Sequence, residues 1–365
     1  MRKIILILAA ALAGACTAPR GDGEVRNVIF MIGDGMGLAH VSMLQIGNDF
    51  APTSFDRAEG VALITTRSAN NRVTDSSAAG TALSSGYKTA NSMLGVDTLG
   101  EAHPSMMALA IRAGHPAGLV VTCYLQHATP GAFYAHAASR SDTEGITRDL
   151  LDSRVDVLMG GGSEWLDAAC DEDGTYFDAF RSRGYRIASS IDEADTLRAD
   201  KLLAVVAPAN LPRVAERGDY LPRATAKALA LLDERAAACG KGFLLMVEGS
   251  QIDYAAHSND AAWLLEEMRD FDRAVAEAMD FADRTPGTLV VVTADHETGG
   301  LALCSGNEDF TLPESGVECR FGTGGHSGTM VPVYLYGAGA DRIRGVMDNT
   351  ELSRRIRELM GLGDE

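Results

Sequence analysis

Basic residues are in short supply. The 365-residue chain carries 32 Lys plus Arg against 50 Asp plus Glu, a formal net charge of −18. A surface this acidic repels a phosphate backbone, which is held by clustered Lys and Arg, and so excludes nucleic-acid binding as the function. Long apolar runs are missing too. No 20-residue apolar span occurs in the body of the chain, which excludes a transmembrane bundle. No C-x-x-C pair occurs, which removes support for cysteine zinc sites and thioredoxin chemistry. Internal repeats and low-complexity blocks are absent. What remains is an ordinary globular composition, 46% hydrophobic and 22% charged, long enough for one large domain or two small ones. Glycine is plentiful at 39 residues, gathered in short motifs where a site needs tight turns.

Arg2 and Lys3 precede an apolar run from Ile4 to Ala13, the pattern of a secretory signal and too short to span a bilayer. Ala13-Gly14-Ala15 offers a cleavage site with Cys16 directly after it. The sequence predicts a signal peptide over 1–15, a polar tether over 16–25 and a single domain over 26–365. Two readings of the exported chain stay open: a lipoprotein anchored to a membrane through Cys16, and a soluble periplasmic or secreted form. Export permits disulfides. Beyond Cys16 stand Cys123, Cys170, Cys239, Cys304 and Cys319, an odd number, so at least one stays free or pairs between chains. Cys304 and Cys319 flank a polar, glycine-containing loop and are the expected pair. Cys123, inside an apolar strand, is expected as a buried free thiol.

Short β-branched or apolar runs recur along the chain: 27–32, 61–65, 118–122, 155–159, 202–206, 243–247, 288–293 and 331–336. Helical stretches separate them, most clearly 221–239 and 261–282, with apolar residues three and four apart. Strands buried on both faces and separated by helices predict a three-layer α/β/α sandwich around a mainly parallel sheet. Sites in such folds form at the carboxyl ends of the strands. The polar stretch 163–213 carries no motif and reads as a peripheral insertion.

Each candidate site residue follows one of these runs. Asp34 lies in Gly33-Asp34-Gly35-Met36-Gly37, where glycines allow close approach; it reads as a metal ligand or as a turn residue capping a helix. The spacing is not that of a nucleotide-binding loop. Ser76, among small residues from Thr74 to Ala82, would open a helix, where the dipole favours an alkoxide and an anionic substrate; a plain Ser or Asp cap is the alternative. Thr129 suits Mg²⁺ rather than zinc, and Arg140 could grip two oxygens of a phosphate or be a surface residue. Glu248, Asp253 and His257 fall within ten residues, the last two four apart and so on one helical face. Asp295 and His296 follow the run 288–293, and His326 stands in a later glycine loop. Three Asp and three His would serve two zinc ions with three protein ligands each, leaving Glu248, Thr129 and a bridging Asp34 for a harder ion.

This set resembles the alkaline phosphatase family, metal-dependent phosphomonoesterases, from about Arg26 to about Tyr336 and in the family's motif order. The resemblance implies hydrolysis of small phosphate monoesters through a phosphoserine on Ser76, with Arg140 as the phosphate clamp. It implies one zinc on Asp253, His257 and His326, a second on Asp34, Asp295 and His296, and one Mg²⁺ on Asp34, Thr129 and Glu248. His127 and Tyr254 occupy positions near the metals where family members vary. The insertion that often forms a crown in relatives is reduced here, which leaves a homodimer open. His40, His103, His115 and His136 match no ligand position and are expected to be structural.

Two rival functions remain. A phosphodiesterase could use the same scaffold, although Arg140 favours the extra charged oxygen of a monoester. A non-catalytic phosphate- or metal-binding lipoprotein would have no use for Ser76. A sulfatase is disfavoured because Ser76 is followed by Ser77-Ala78-Ala79-Gly80 rather than by x-P-x-R.

Overall fold

The computed structural model describes residues 23–171, 174–307 and 316–363. The expected leader, Cys16 and the tether up to residue 22 lie outside the described residues. Ten strands form one sheet, in the order β16 (Gly345–Asp348), β2 (Gly60–Thr65), β15 (Val331–Gly337), β10 (Thr288–Thr293), β1 (Asn27–Gly33), β9 (Leu244–Gly249), β3 (Ala117–Tyr124), β4 (Val157–Gly161), β8 (Leu202–Val205) and β7 (Arg186–Ala188). Every neighbouring pair is parallel except the two made by β15, so β15 alone runs against the rest. The expected mainly parallel sandwich is the fold found.

The central strands explain themselves. All seven residues of β1 are buried, as are all six of β9 and of β10. Val, Ile, Leu, Met and Phe suit a strand covered on both faces, and each such buried side chain contributes about 1.5–3 kcal/mol. Helices Tyr220–Cys239 and Ala261–Arg284 pack on each other and on β3, β9 and β10. Helices Ser76–Ser85 and Asn349–Leu359 pack on each other, the second also against β2 and β16. No helix among the described residues is long and apolar enough to cross a membrane.

Three two-stranded ribbons stand outside the sheet: β5 (Ala169–Asp171) with β6 (Gly174–Thr175), β11 (Glu297–Thr298) with β14 (His326–Ser327), and β12 (Leu301–Ser305) with β13 (Val317–Phe321). Between Gly300 and Gly325 the described chain makes the β12–β13 ribbon. Its register corrects the expected disulfide. Cys304 pairs with Glu318 and Cys319 with Leu303, so the two thiols are one position out of register. Side chains alternate along a strand, which sends the thiols to opposite faces of the ribbon. Neither cysteine is in a disulfide, and neither is Cys123 or Cys239. The stretch 163–213 is more than an insertion, because β8 and β7 complete one edge of the main sheet.

Candidate metal centre

Four adjacent strands, β10, β1, β9 and β3, deliver their carboxyl ends to one place. Asp34 directly follows β1 and is fully buried. Gly35 comes next, with φ +71°, and its N–H donates to Oδ1 of Asp295 at 3.1 Å, tying the loop after β1 to the loop after β10. A Cβ at Gly35 would lie 2.7 Å from Oγ1 of Thr298 and 2.9 Å from Oδ1 of Asp253. Glycine is required there by both the left-handed backbone and the close approach. After β9 the chain enters helix Gln251–His257, whose one turn of spacing sets Nε2 of His257 3.2 Å from Oδ2 of Asp253.

The loop after β10 holds Asp295 and His296, both fully buried. Nε2 of His296 lies 3.1 Å from Oδ2 of Asp295 and 3.6 Å from Oδ1 of Asp34. Ribbon β11–β14 then pairs Thr298 with His326 and so brings the last motif back to the site. The His326 ring stacks on His296 with centroids 3.6 Å apart. Its Nδ1 lies 2.8 Å from the Thr74 carbonyl, and Nδ1 of His257 lies 2.8 Å from the Gly324 carbonyl. A carbonyl only accepts, so each Nδ1 carries a hydrogen and donates it. In the neutral rings, both Nε2 atoms are then bare acceptors, and they face each other at 3.2 Å. Two lone pairs so placed need a cation between them.

The carboxylates make the same demand. Both oxygens of Asp34, Oε1 of Glu248 and Oγ1 of Thr129 are buried without a hydrogen-bond partner. Burial, and then the charges of Asp295, Asp253 and Glu248, hold the Asp34 carboxyl well above the usual range. Burial and Asp295 push Glu248 up to about 8. The hydrogen bond to Asp253 raises His257 to about 9. Acids this deep stay charged only beside compensating positive charge. Among the described residues, three groups have ligand atoms within 4.8 Å of one another: Asp253, His296 and His326; Asp34, Asp295 and His296; and Cys123, His127 and Glu248. The donor set therefore fits metal ions.

Ser76 is the first residue of helix Ser76–Ser85, which is capped by Asp75 accepting from the Ala78 N–H at 3.0 Å. The small residues after it serve packing. A Cβ at Gly80 would fall 2.9 Å from Cβ of Ala132, next to the short helix Ala128–Gly131 that carries Thr129. Oγ of Ser76 reaches Nε2 of His296 at 3.2 Å. Arg140 lies beside it, with Nη1 3.4 Å from Oδ2 of Asp75 and Nη2 3.1 Å from Nε2 of His127. The Tyr254 hydroxyl stands 3.3 Å from the same His127 nitrogen.

All the residues singled out in the sequence thus meet in one region. Three partners were not singled out. Asp75 holds Arg140 as well as capping the helix. Thr298 donates from Oγ1 to Oδ1 of Asp253 at 2.5 Å. Cys123, the buried free thiol expected, stands beside Glu248. His40, His103, His115 and His136 join none of the three ligand groups; His103 stacks on Tyr87 and His115 reaches the Gly242 carbonyl.

Comparison with known proteins agrees with this geometry. The alkaline phosphatase family model matches residues 25–315. Alkaline phosphatase 4 of Bacillus subtilis (strain 168) is 30% identical, over 96% of this chain and 92% of that protein. The alkaline phosphatase of the Antarctic bacterium TAB5 is 32% identical with a TM-score of 0.86, over 93% of this chain and 100% of that one. Its His 135 Asp mutant, with Mg bound in the M3 site, is 32% identical with a TM-score of 0.85, over 93% and 99%. With its central sheet, its buried ligand groups and these relatives spanning nearly its whole length, this chain belongs to the alkaline phosphatase family.

Proposed function

We propose that the chain hydrolyses phosphate monoesters to an alcohol and inorganic phosphate through a phosphoserine on Ser76. The observation that carries this reading is the placement of the Ser76 hydroxyl at a helix N-terminus, among orphaned buried carboxylates and within reach of Arg140. Asp253, His257 and His326 would hold one zinc, and Asp34, Asp295 and His296 the other. Asp34, Thr129 and Glu248, all oxygen donors, would hold Mg²⁺. When bound, these ions supply the positive charge that acidifies a hydroxyl and stabilises the entering and leaving oxygens of an in-line displacement.

The chain's own groups do the rest. Oγ of Ser76 gives up its proton to solvent and attacks phosphorus; a Ser76–phosphate bond forms as the phosphorus–oxygen ester bond breaks, and the departing oxygen takes a proton from solvent. The helix N–H groups after Asp75 favour the negative charge that gathers there. Arg140 turns from His127 and Asp75 to grip two oxygens of the transferring group through its planar fork. Asp75 and His127 hold the guanidinium until substrate arrives, and the Tyr254 hydroxyl holds His127. Water then attacks the phosphoserine, releasing phosphate and returning the hydroxyl.

Steady-state hydrolysis of p-nitrophenyl phosphate against bis-p-nitrophenyl phosphate, on protein loaded with zinc and magnesium, tests the reading. A large preference for the monoester is expected. A preference for the diester would mean that the reaction class is wrong. The same proposal includes an exported protein, a single domain over 26–365, and a mature chain that is either lipidated at Cys16 or soluble. Mass spectrometry of the mature N-terminus separates those two forms.

A further inference from the structure

Cys123 sits in β3 with its side chain fully buried, and its Sγ lies 3.4 Å from Oε2 of Glu248. With one ring nitrogen of His127 these groups form a set whose ligand atoms all fall within 4.8 Å of one another. The thiol is not the only sign of a ligand. Oε1 of Glu248, Oγ1 of Thr129 and Nδ1 of His127 are each buried without a partner. Glu248 and Thr129 are themselves fully buried. Sulfur and oxygen ligands at 2.3 and 2.1 Å from a tetrahedral ion stand about 3.6 Å apart, close to the observed spacing.

We propose that Cys123, His127 and Glu248 form a site for a thiophilic divalent cation of the zinc class, which shares Glu248 with the Mg²⁺ position and competes with it. The proposal rests on the metallophosphatase reading above and adds a ligand set to it. Thiolate and imidazole ligands select zinc over magnesium, whereas the Asp34, Thr129 and Glu248 oxygens select the reverse. Glu248 serves both sets, so an ion drawn towards Cys123 and His127 takes a ligand from the Mg²⁺ position. On binding, a metal–sulfur bond forms, the S–H bond breaks and the proton leaves to water, with no change of oxidation state.

The test uses full-length protein, stripped by chelation and reloaded with cobalt(II) in the presence of magnesium. A near-ultraviolet thiolate-to-cobalt charge-transfer band is expected to grow with one of the bound ions, while retained magnesium falls by one equivalent. Cys123→Ser is expected to abolish the band and weaken that ion by about 100-fold or more, since even an outer partner of a ligand is worth 10–100-fold. The remaining cobalt ions should still bind. Should the variant fail to fold, cadmium NMR of the unaltered protein answers the same question through one resonance shifted by sulfur ligation. Cobalt binding without the band, a band that survives Cys123→Ser, or cadmium resonances all typical of nitrogen and oxygen would overturn the proposal and leave the metallophosphatase reading standing. Failure to bind cobalt at all would overturn both.

Discussion

Oγ of Ser76 and Nε2 of His296 stand 3.2 Å apart across 220 residues of sequence. One group opens a helix and the other closes the loop after β10, so only the assembled fold brings them together. The hydroxyl has no other role that the fold needs. Ser76→Ala is therefore expected to lower kcat by on the order of 10³- to 10⁶-fold, the range seen when a nucleophile is deleted. Zinc binding and Tm should hardly change. Mass mapping of acid-quenched protein should find phosphate on Ser76 in the parent and none in the variant; phosphate on another residue would refute the assignment.

Arg140 is held in waiting by Asp75 and His127 rather than buried in a structural pair. Arg140→Ala is expected to reduce kcat/KM for monoesters by about 10- to 1,000-fold, with KM raised, through loss of a charge-assisted clamp. Inorganic phosphate should inhibit the variant more weakly. Unchanged kcat/KM would make Arg140 a surface residue.

Gly35 joins backbone geometry to the ligands. Alanine there must adopt a φ of +71° and place a Cβ 2.9 Å from Oδ1 of Asp253. Gly35→Ala is expected to cost about 1–3 kcal/mol in stability and to weaken zinc binding. Thermal unfolding of the metal-free form and a zinc titration would separate the two losses. A variant with the parent's zinc affinity would show that the loop shifts without disturbing Asp253.

Stripping the metals should leave a pH signature. In the metal-free protein Glu248 lies at about 8, above its ordinary 4.5, and His257 at about 9, above 6.5. Raised values mean that the folded state holds protons which the unfolded state releases. Each contribution is complete below the ordinary value and is lost as pH rises through the folded one. Tm of the chelated protein is therefore expected to fall from about pH 7 to pH 9, above the range in which buried His40 and His127, held below 6.5, add the opposite slope, and where paired Asp253 and Asp295 add none. Added zinc should remove the slope and restore activity. Activity indifferent to chelation would end the metal mechanism.

Much of this was legible in the residues because each signal was local. The run 288–293 became β10 without adjustment, since six buried β-branched or apolar residues bounded by Pro286-Gly287 leave little choice. Asp253 and His257 were readable as one face of a helical turn. The failures share a cause, which is that their signals lie far away in the chain. The fate of Cys304 and Cys319 depends on the register of a ribbon, and a shift of one position reverses every face. Cys123 is the buried free thiol expected, but its neighbour Glu248 is 125 residues distant and could not be read beside it. The edge strand β7 was lost in a polar stretch, because an edge position asks for little apolar sequence.

The order of the sheet also constrains synthesis. β1 is the first strand among the described residues, yet its two neighbours are β9 and β10, which leave the ribosome more than 200 residues later. Until then the sequence Asn-Val-Ile-Phe-Met-Ile-Gly has two open edges and no partner in register. Pairings across such separations are slow to form, and an unpaired apolar strand is where one nascent chain adheres to another. The yield of soluble protein should therefore depend on how β1 is sheltered during elongation, by a chaperone or by slow translation at low temperature, more than on the stability of the finished molecule.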